Sequence, residues 1–332
     1  MSMENYKYIQ DKLNNGKIVI LDGANGSELE KRGAQMDKAG WCGPASITHP
    51  KILESIHKDY IAAGAEVITT NTFSSARHVL EYSTFKDQTL AINEKAMECA
   101  LSARNHFSNK KIAIAGSISL SLVADVIDGI NDPAEFRDYM KTDQRSISKF
   151  TEESIREGSF NYNKILKNFN EQISIFKKYN IDLIILEMII NPSICKPAID
   201  AALASGLPVW LGLSCGEESE EGDLLAFENT KMKFSETLNT ITNDFDAVLL
   251  MHSETKNTTK GLREIRSKWN GHLGAYPHKG TYVRPNWIFD KNYTPEMYSD
   301  NMQDWVNQGV RIIGSCCGMG PEYTYELKRR FS

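Results

Sequence analysis

Long apolar runs are missing from this chain. The longest, near 182–190 and 246–251, are far too short to span a bilayer, so no membrane segment is expected. Blocks of like charge are missing too. The 38 Lys and Arg are interspersed with 43 Asp and Glu, for a net charge of −5, which offers no basic face for a nucleic acid and no acidic tail. Cysteine is scarce: six in 332 residues cannot make a disulfide scaffold. No Gly-x-Gly-x-x-Gly follows the first apolar run, and no other phosphate-cradling loop stands out. The opening Met1-Ser2-Met3-Glu4-Asn5-Tyr6 lacks the basic and apolar regions of a signal peptide, which points to the cytoplasm. Without a low-complexity linker, one domain over 1–332 is expected.

What is present is an alternation. Short runs rich in Ile, Val and Leu occur at Lys17–Ala24, Glu66–Phe73, Lys111–Ile118, Asp182–Ile189, Pro208–Cys215, Ala247–Ser253, His272–Pro277 and Arg311–Cys316. They read as parallel strands buried on both faces. Between them lie helical patterns: an Ile52, Ile56, Tyr60 stripe, then 88–106, 163–179, 193–205, 232–243, 257–269, 295–308 and 321–331. Eight such units predict an α/β chain folded as a single (β/α)8 barrel, with a doubly wound open sheet as runner-up. The polar stretch 119–165 breaks the rhythm between strands three and four. It is expected to be an insertion of extra helices: a lid, a subunit contact or a solvated elaboration.

In such a barrel the active site gathers at the C-terminal strand ends. Asp22 and Glu187 interrupt apolar runs there, and a buried carboxylate needs a partner. The ammonium of an amino acid would supply one, and backbone N–H groups or an Arg would be the structural alternative. Gly23 and Gly26 beside Asp22 allow close approach of a ligand to the backbone.

Strand eight ends in Cys316-Cys317, between Gly314 and Gly318. Side chains alternate along a regular strand, so two neighbours share a direction only if the backbone turns, which the glycines permit. Two converging thiols suit zinc, which prefers four ligands and keeps one position open in a catalytic site. A third protein ligand is then required. His252, ending strand six, is preferred, with Cys215 and His278 as alternatives.

These residues resemble the homocysteine S-methyltransferase family, the group of betaine–homocysteine and S-methylmethionine–homocysteine methyltransferases and the homocysteine half of cobalamin-dependent methionine synthase. The resemblance covers nearly the whole length. It is carried by Ile20-Leu-Asp22-Gly-Ala-Asn-Gly26-Ser-Glu-Leu-Glu-Lys-Arg-Gly33, by His57 to Phe73, by Asp182 to Glu187, and most specifically by Gly314-Ser-Cys316-Cys317-Gly318-Met-Gly320-Pro321-Glu322. It implies a TIM-like barrel with Zn2+ at its mouth, held in the family by the strand-eight cysteine pair and a third cysteine in an Asn-Cys dipeptide on strand six. Here that dipeptide is Met251-His252. It also implies that Asp22 and Glu187 hold the substrate's amino group. Two further departures lie at the barrel mouth: Gly116-Ser-Ile-Ser-Leu120 replaces Gly-Ser-x-Gly-Pro, and Tyr276-Pro277-His278 replaces Tyr-Pro-Asn.

The expected reaction is therefore methyl transfer to the thiol of homocysteine, or a related thiol, giving methionine. S-methylmethionine, dimethylsulfoniopropionate, betaine and S-adenosylmethionine are the candidate donors, and a free small-molecule donor rather than an appended cobalamin module is expected. A cationic donor suits a thiolate nucleophile, because their charges cancel on reaction. Aromatic faces hold such cations, and Trp41, Phe73, Tyr276 and Trp287 are placed to do so, with Thr72 nearby. Two thiolates and a neutral imidazole around a divalent ion carry no net charge, whereas three thiolates carry one negative charge. The less electron-rich site suits a reactive sulfonium better than betaine. Two other readings stay open: a zinc enzyme that activates water on the same barrel, and a degenerate, non-catalytic binding or regulatory member. The oligomeric state is left open, a homo-oligomer included.

Overall fold

The computed structural model describes residues 2–81, 83–120, 162–227, 232–283, 286–290 and 292–332. Eight parallel strands lie in one sheet: β1 Val19–Ile20, β2 Val67–Thr69, β3 Ala113–Ser119, β4 Leu183–Ile189, β5 Val209–Leu213, β6 Ala247–Glu254, β7 His272–His278 and β8 Val310–Ile313. They pair in chain order, and β8 returns to β1. A parallel bridge between Leu21 and Val67 joins β1 to β2, with Asp22 N–H donating to the Val67 carbonyl at 3.0 Å. The sheet is thus closed, which excludes the open doubly wound alternative. All eight strands lie within the apolar runs or overlap them.

Helices form where sequence periodicity and end signals agree. Pro50–Ala63 starts on a proline, buries Leu53, Ile56, Tyr60 and Ile61, and stops at Gly64 with φ 116°. Pro192–Leu203 is capped by Asn191, whose side chain accepts from the N–H groups of Ser193 and Ile194. Tyr162–Lys178, Thr89–His106, Thr255–Lys268, Pro295–Asn307 and Pro321–Phe331 complete the outer ring near the expected positions. The expected helix over 232–243 is instead a short Phe234–Thr237 turn and a 3-10 turn at Leu238–Thr240. Its Thr and Asn residues compete for backbone groups, as the Thr240 hydroxyl does at the Thr237 carbonyl, 2.7 Å away.

Two apolar layers follow from strand alternation. One lies between strands and helices and includes Ile20, Ile68, Ile114, Ile184, Leu211 and Leu250. The other fills the barrel with Val19, Leu21, Val67, Ile185, Trp210 and Leu249. Tyr6, Ile9 and Leu13 join this inner layer from a helix at Ser2–Asn14, which the sequence reading did not anticipate. Lys12 ties that helix to Glu66 at the start of β2. The helix plugs the N-terminal end of the barrel and leaves the opposite end as the mouth. The stretch expected as an insertion, 119–165, begins at the end of β3 and reaches into the helix Tyr162–Lys178; its body, 121–161, lies outside the described residues. No helix among the described residues is long and apolar enough to cross a membrane.

Candidate metal centre

Broken alternation builds the mouth. Met251 faces the barrel interior, so a regular strand would turn His252 outward. His252 instead has φ 42°, and the β6–β7 register shifts between Met251 and Glu254. The left-handed residue swings the imidazole back toward the axis. Met188 does the same after Glu187 on β4, with φ 58° and a register shift between Leu186 and Ile189. On the last strand, regular pairing ends at Ile313, before the cysteines. Cys316 N–H donates to the Pro277 carbonyl at 3.0 Å, and the Cys317 carbonyl accepts from Lys279 N–H at 3.1 Å. Gly318 then turns the chain with φ 89°. Both sulfurs enter the inner layer.

The result is a compact donor set. Nδ1 of His252 lies 3.3 Å from the Cys316 sulfur, and the two sulfurs lie 3.9 Å apart. All three donor atoms fall within 4.8 Å of one another. Sulfurs on a tetrahedral zinc, each about 2.3 Å from the ion, are separated by about 3.8 Å. The set therefore fits such an ion in chemistry and in spacing. Burial, reinforced by neighbouring His278, holds the His252 imidazole neutral, the form in which it ligates. The Cys317 thiol is pushed well up by the Cys316 sulfur beside it and by burial, so a cation is what would let it ionise.

The alternative third ligands are not brought in. The Cys215 sulfur packs against Gly261 on the outer side of β6, and burial pushes its thiol up to about 12. His278 stands beside His252, with ring centroids 4.4 Å apart, but its Nε2 lies 3.2 Å from Glu254 Oε1. It is not among the three clustered donors.

Across the mouth sit the carboxylates. Asp22, 2% exposed, accepts from Thr69 N–H at 2.7 Å and from the Thr69 hydroxyl at 2.8 Å. Glu187 accepts from the Ser117 hydroxyl and from Tyr276 Oη, the latter at 3.3 Å. Burial pushes the pKa of both acids up, against those hydrogen bonds. Neither has a cationic side-chain partner among the hydrogen bonds and ion pairs of the described residues. Ser117 was not singled out from sequence; its signal was a hydroxyl on a strand whose neighbours are apolar. Gly212 makes the Tyr276 contact feasible, because a side chain there would crowd the tyrosine hydroxyl and the Leu186 carbonyl.

The remaining expected residues divide. Trp41 and Phe73 meet edge to face at 6.4 Å and pack on the inner layer that holds the two cysteines. Trp41 has φ 44°, and its ring lies where a Gly26 side chain would be. Trp287 packs edge-on to His252 at 5.7 Å. Thr72 is fully buried, and its hydroxyl donates to the Ser117 carbonyl at 2.8 Å, so its O–H is committed within the fold. Gly23 does not open the backbone to a ligand: a methyl there would lie 2.7 Å from both Ser315 Oγ and Tyr60 Oη. Its role in this structure is tight packing.

The chain is similar to known proteins along most of its length. The chain is 26% identical to betaine–homocysteine S-methyltransferase 1 of Pongo abelii over 345 aligned residues, 95% of this chain and 72% of that protein. It is 22% identical to homocysteine S-methyltransferase 2 of Arabidopsis thaliana, across 95% of this chain and 93% of that one. Its fold is similar to the crystal structure of the Escherichia coli homocysteine methyltransferase MmuM in its metallated form, with a TM-score of 0.69 at 18% identity over 97% of this chain and 99% of that one. A family profile described as homocysteine S-methyltransferase matches residues 19–331, and the chain belongs to that family.

Proposed function

We propose that this chain is a zinc-dependent methyltransferase that moves a methyl group from a small cationic donor, preferably a sulfonium, to the thiol of homocysteine, giving methionine. The observation that carries the reading is the His252, Cys316, Cys317 donor set at the same barrel end as two buried carboxylates. His252, Cys316 and Cys317 would hold the ion. When bound, zinc lowers the pKa of a thiol in its open position, so that the thiolate is available at neutral pH.

The other steps belong to the chain's residues. Asp22 and Glu187 receive the ammonium of homocysteine; each is already oriented by its own donors, which limits the loss of side-chain freedom on binding. That salt link offsets the cost of burying both acids. Trp41, Phe73 and Tyr276, which pack in or against the inner layer that holds the two cysteines, would present aromatic surface to the cationic donor. The thiolate lone pair forms the new S–CH3 bond as the C–S bond of the sulfonium breaks, its electron pair leaving with the neutral thioether. Opposite charges vanish together, which a water-poor site favours. The neutral imidazole in place of a third thiolate favours donors with good leaving groups. A cytoplasmic setting, where thiols stay reduced, suits this chemistry.

The test is an assay of zinc-loaded protein with homocysteine and four donors: S-methylmethionine, dimethylsulfoniopropionate, betaine and S-adenosylmethionine. Methionine formation fastest with a sulfonium is expected. Consumption of donor without methylation of the thiol, or a faster rate with betaine than with every sulfonium, would overturn the proposal or its donor preference respectively.

A further inference from the structure

A cysteine sulfur accepts a metal from a broad range of directions, but an imidazole must aim a lone pair lying in its ring plane. Replacing a thiolate by His252 therefore makes ring orientation part of the site. That ring is walled on several sides. The His278 ring lies 4.4 Å away at a tilt of 40°, Trp287 stands edge-on at 5.7 Å and 89°, and Phe227 at 5.2 Å and 66°. His278 is itself held, with Nε2 3.2 Å from Glu254 Oε1 and with Trp287 and Phe227 against its ring at 5.7 and 6.5 Å. Glu254 also faces His278 in the β6–β7 pairing, directly after the register break that holds His252 at φ 42°.

We propose that His278, anchored by Glu254 and backed by Trp287 and Phe227, is an aromatic clamp that fixes the plane of His252 for metal binding. These are positioning residues, and the proposal rests on the reading of His252 as a ligand. The physical basis is preorganisation. A freely rotating imidazole loses rotamer entropy when it ligates, whereas a clamped one has already lost it on folding. Orienting partners of metal ligands contribute about tenfold to hundredfold in affinity when removed.

The experiment measures zinc affinity of the full chain by competition with a chromophoric chelator, and the visible absorption of the cobalt-substituted protein as a signature of ligand geometry. His278→Asn removes the wall and is expected to weaken zinc binding by about ten- to a hundredfold and to alter the cobalt bands. His278→Phe restores a flat ring and is expected to recover most of the affinity. Glu254→Gln, which keeps an acceptor, stays near wild type, while Glu254→Ala falls between. Equal affinity and equal cobalt spectra for wild type and His278→Asn would overturn the clamp, as would a His278→Phe protein as weak as His278→Asn. If His278→Asn does not fold, Phe227→Ala in the partly exposed wall decides: several-fold weaker binding supports the clamp and unchanged binding overturns it. A His252→Ala protein that binds zinc as tightly as wild type would instead overturn the ligand assignment, and with it the clamp.

Discussion

The His252 imidazole and the Cys316 sulfur meet at 3.3 Å although 64 residues separate them in the chain. His252 reaches this contact from a register break in β6, and Cys316 from the turn just beyond β8. Irregular backbone is needed on one side of the contact: Met251 faces inward, so a regular β6 would turn His252 out, whereas Ile312 faces inward on β8, so regular alternation already directs Cys316 to the interior and only Cys317 depends on the turn.

His252→Ala and Cys317→Ser are each expected to abolish one-to-one zinc uptake without loss of helical content, checked by metal analysis and circular dichroism. His252→Cys is expected to keep zinc and to add one negative charge to the site. The ratio of kcat/KM for betaine to that for S-methylmethionine should then rise above the wild-type ratio. An unchanged ratio would speak against the charge argument for donor choice.

Asp22→Asn and Glu187→Gln should act on substrate binding rather than on folding. Loss of a charged hydrogen bond to the ammonium is worth about 1.5–3 kcal/mol, a KM for homocysteine raised roughly ten- to hundredfold. The ligand-free variants should melt no lower than wild type, because each substitution removes a buried acid that lacks a cationic partner. A normal KM alongside a lower melting temperature would assign both acids to the scaffold.

Acid should destabilise the protein through two histidines outside the site. Burial lowers His57 to about 4 and His78 to about 3, against 6.5 for a free imidazole. Above pH 6.5 both states are neutral and no penalty exists. Below it the unfolded chain takes up protons that the folded chain refuses, so stability falls as pH drops toward the folded values. At pH 5 this amounts to about 2 kcal/mol for each residue. Neither ring nitrogen of His57 has a hydrogen-bond partner among the described residues. His57→Leu is therefore expected to raise the melting temperature, and to raise it more at pH 5 than at pH 7.5. A pH-independent gain in a denaturation series would contradict the assignment.

Gly318→Ala is expected to be costly. Its φ of 89° disfavours any side chain, and an added methyl would strike the Lys279 carbonyl. Because Cys317 precedes this turn and its carbonyl bonds Lys279 N–H, the damage should reach the metal site. A loss of about 2 kcal/mol or more in stability, with weaker zinc binding, is the expected result, read by urea unfolding and chelator competition.

Much of the barrel was legible because buried parallel strands leave near-continuous apolar runs, and because Pro50, Gly64, Asn191 and Pro321 mark helix ends by local chemistry. The helix Ser2–Asn14 is hard to read from sequence because its apolar face is narrow, Tyr6, Ile9 and Leu13 among the described residues, and acquires meaning only against the barrel floor. The helix expected over 232–243 shortens to Phe234–Thr237 because Thr237, Asn239 and Thr240 favour turns, which outweighs the apolar spacing. Gly23 was read as room for a ligand when it is room for Tyr60 and Ser315.

The residue types at the site were written in the sequence: two thiols bracketed by glycines, two acids inside apolar runs, a histidine ending a strand. Local chemistry suffices for that, since an acid or a thiol is unusual in such a run wherever the chain goes. Which donor would join the cysteines was decided only by tertiary structure. Cys215, His252 and His278 all stand near strand ends, and one left-handed φ at His252 turns that imidazole inward while Cys215 faces the outer helix and His278 binds Glu254. Side-chain direction at an irregular strand end depends on the neighbours that hold it there, and those neighbours come from distant parts of the chain.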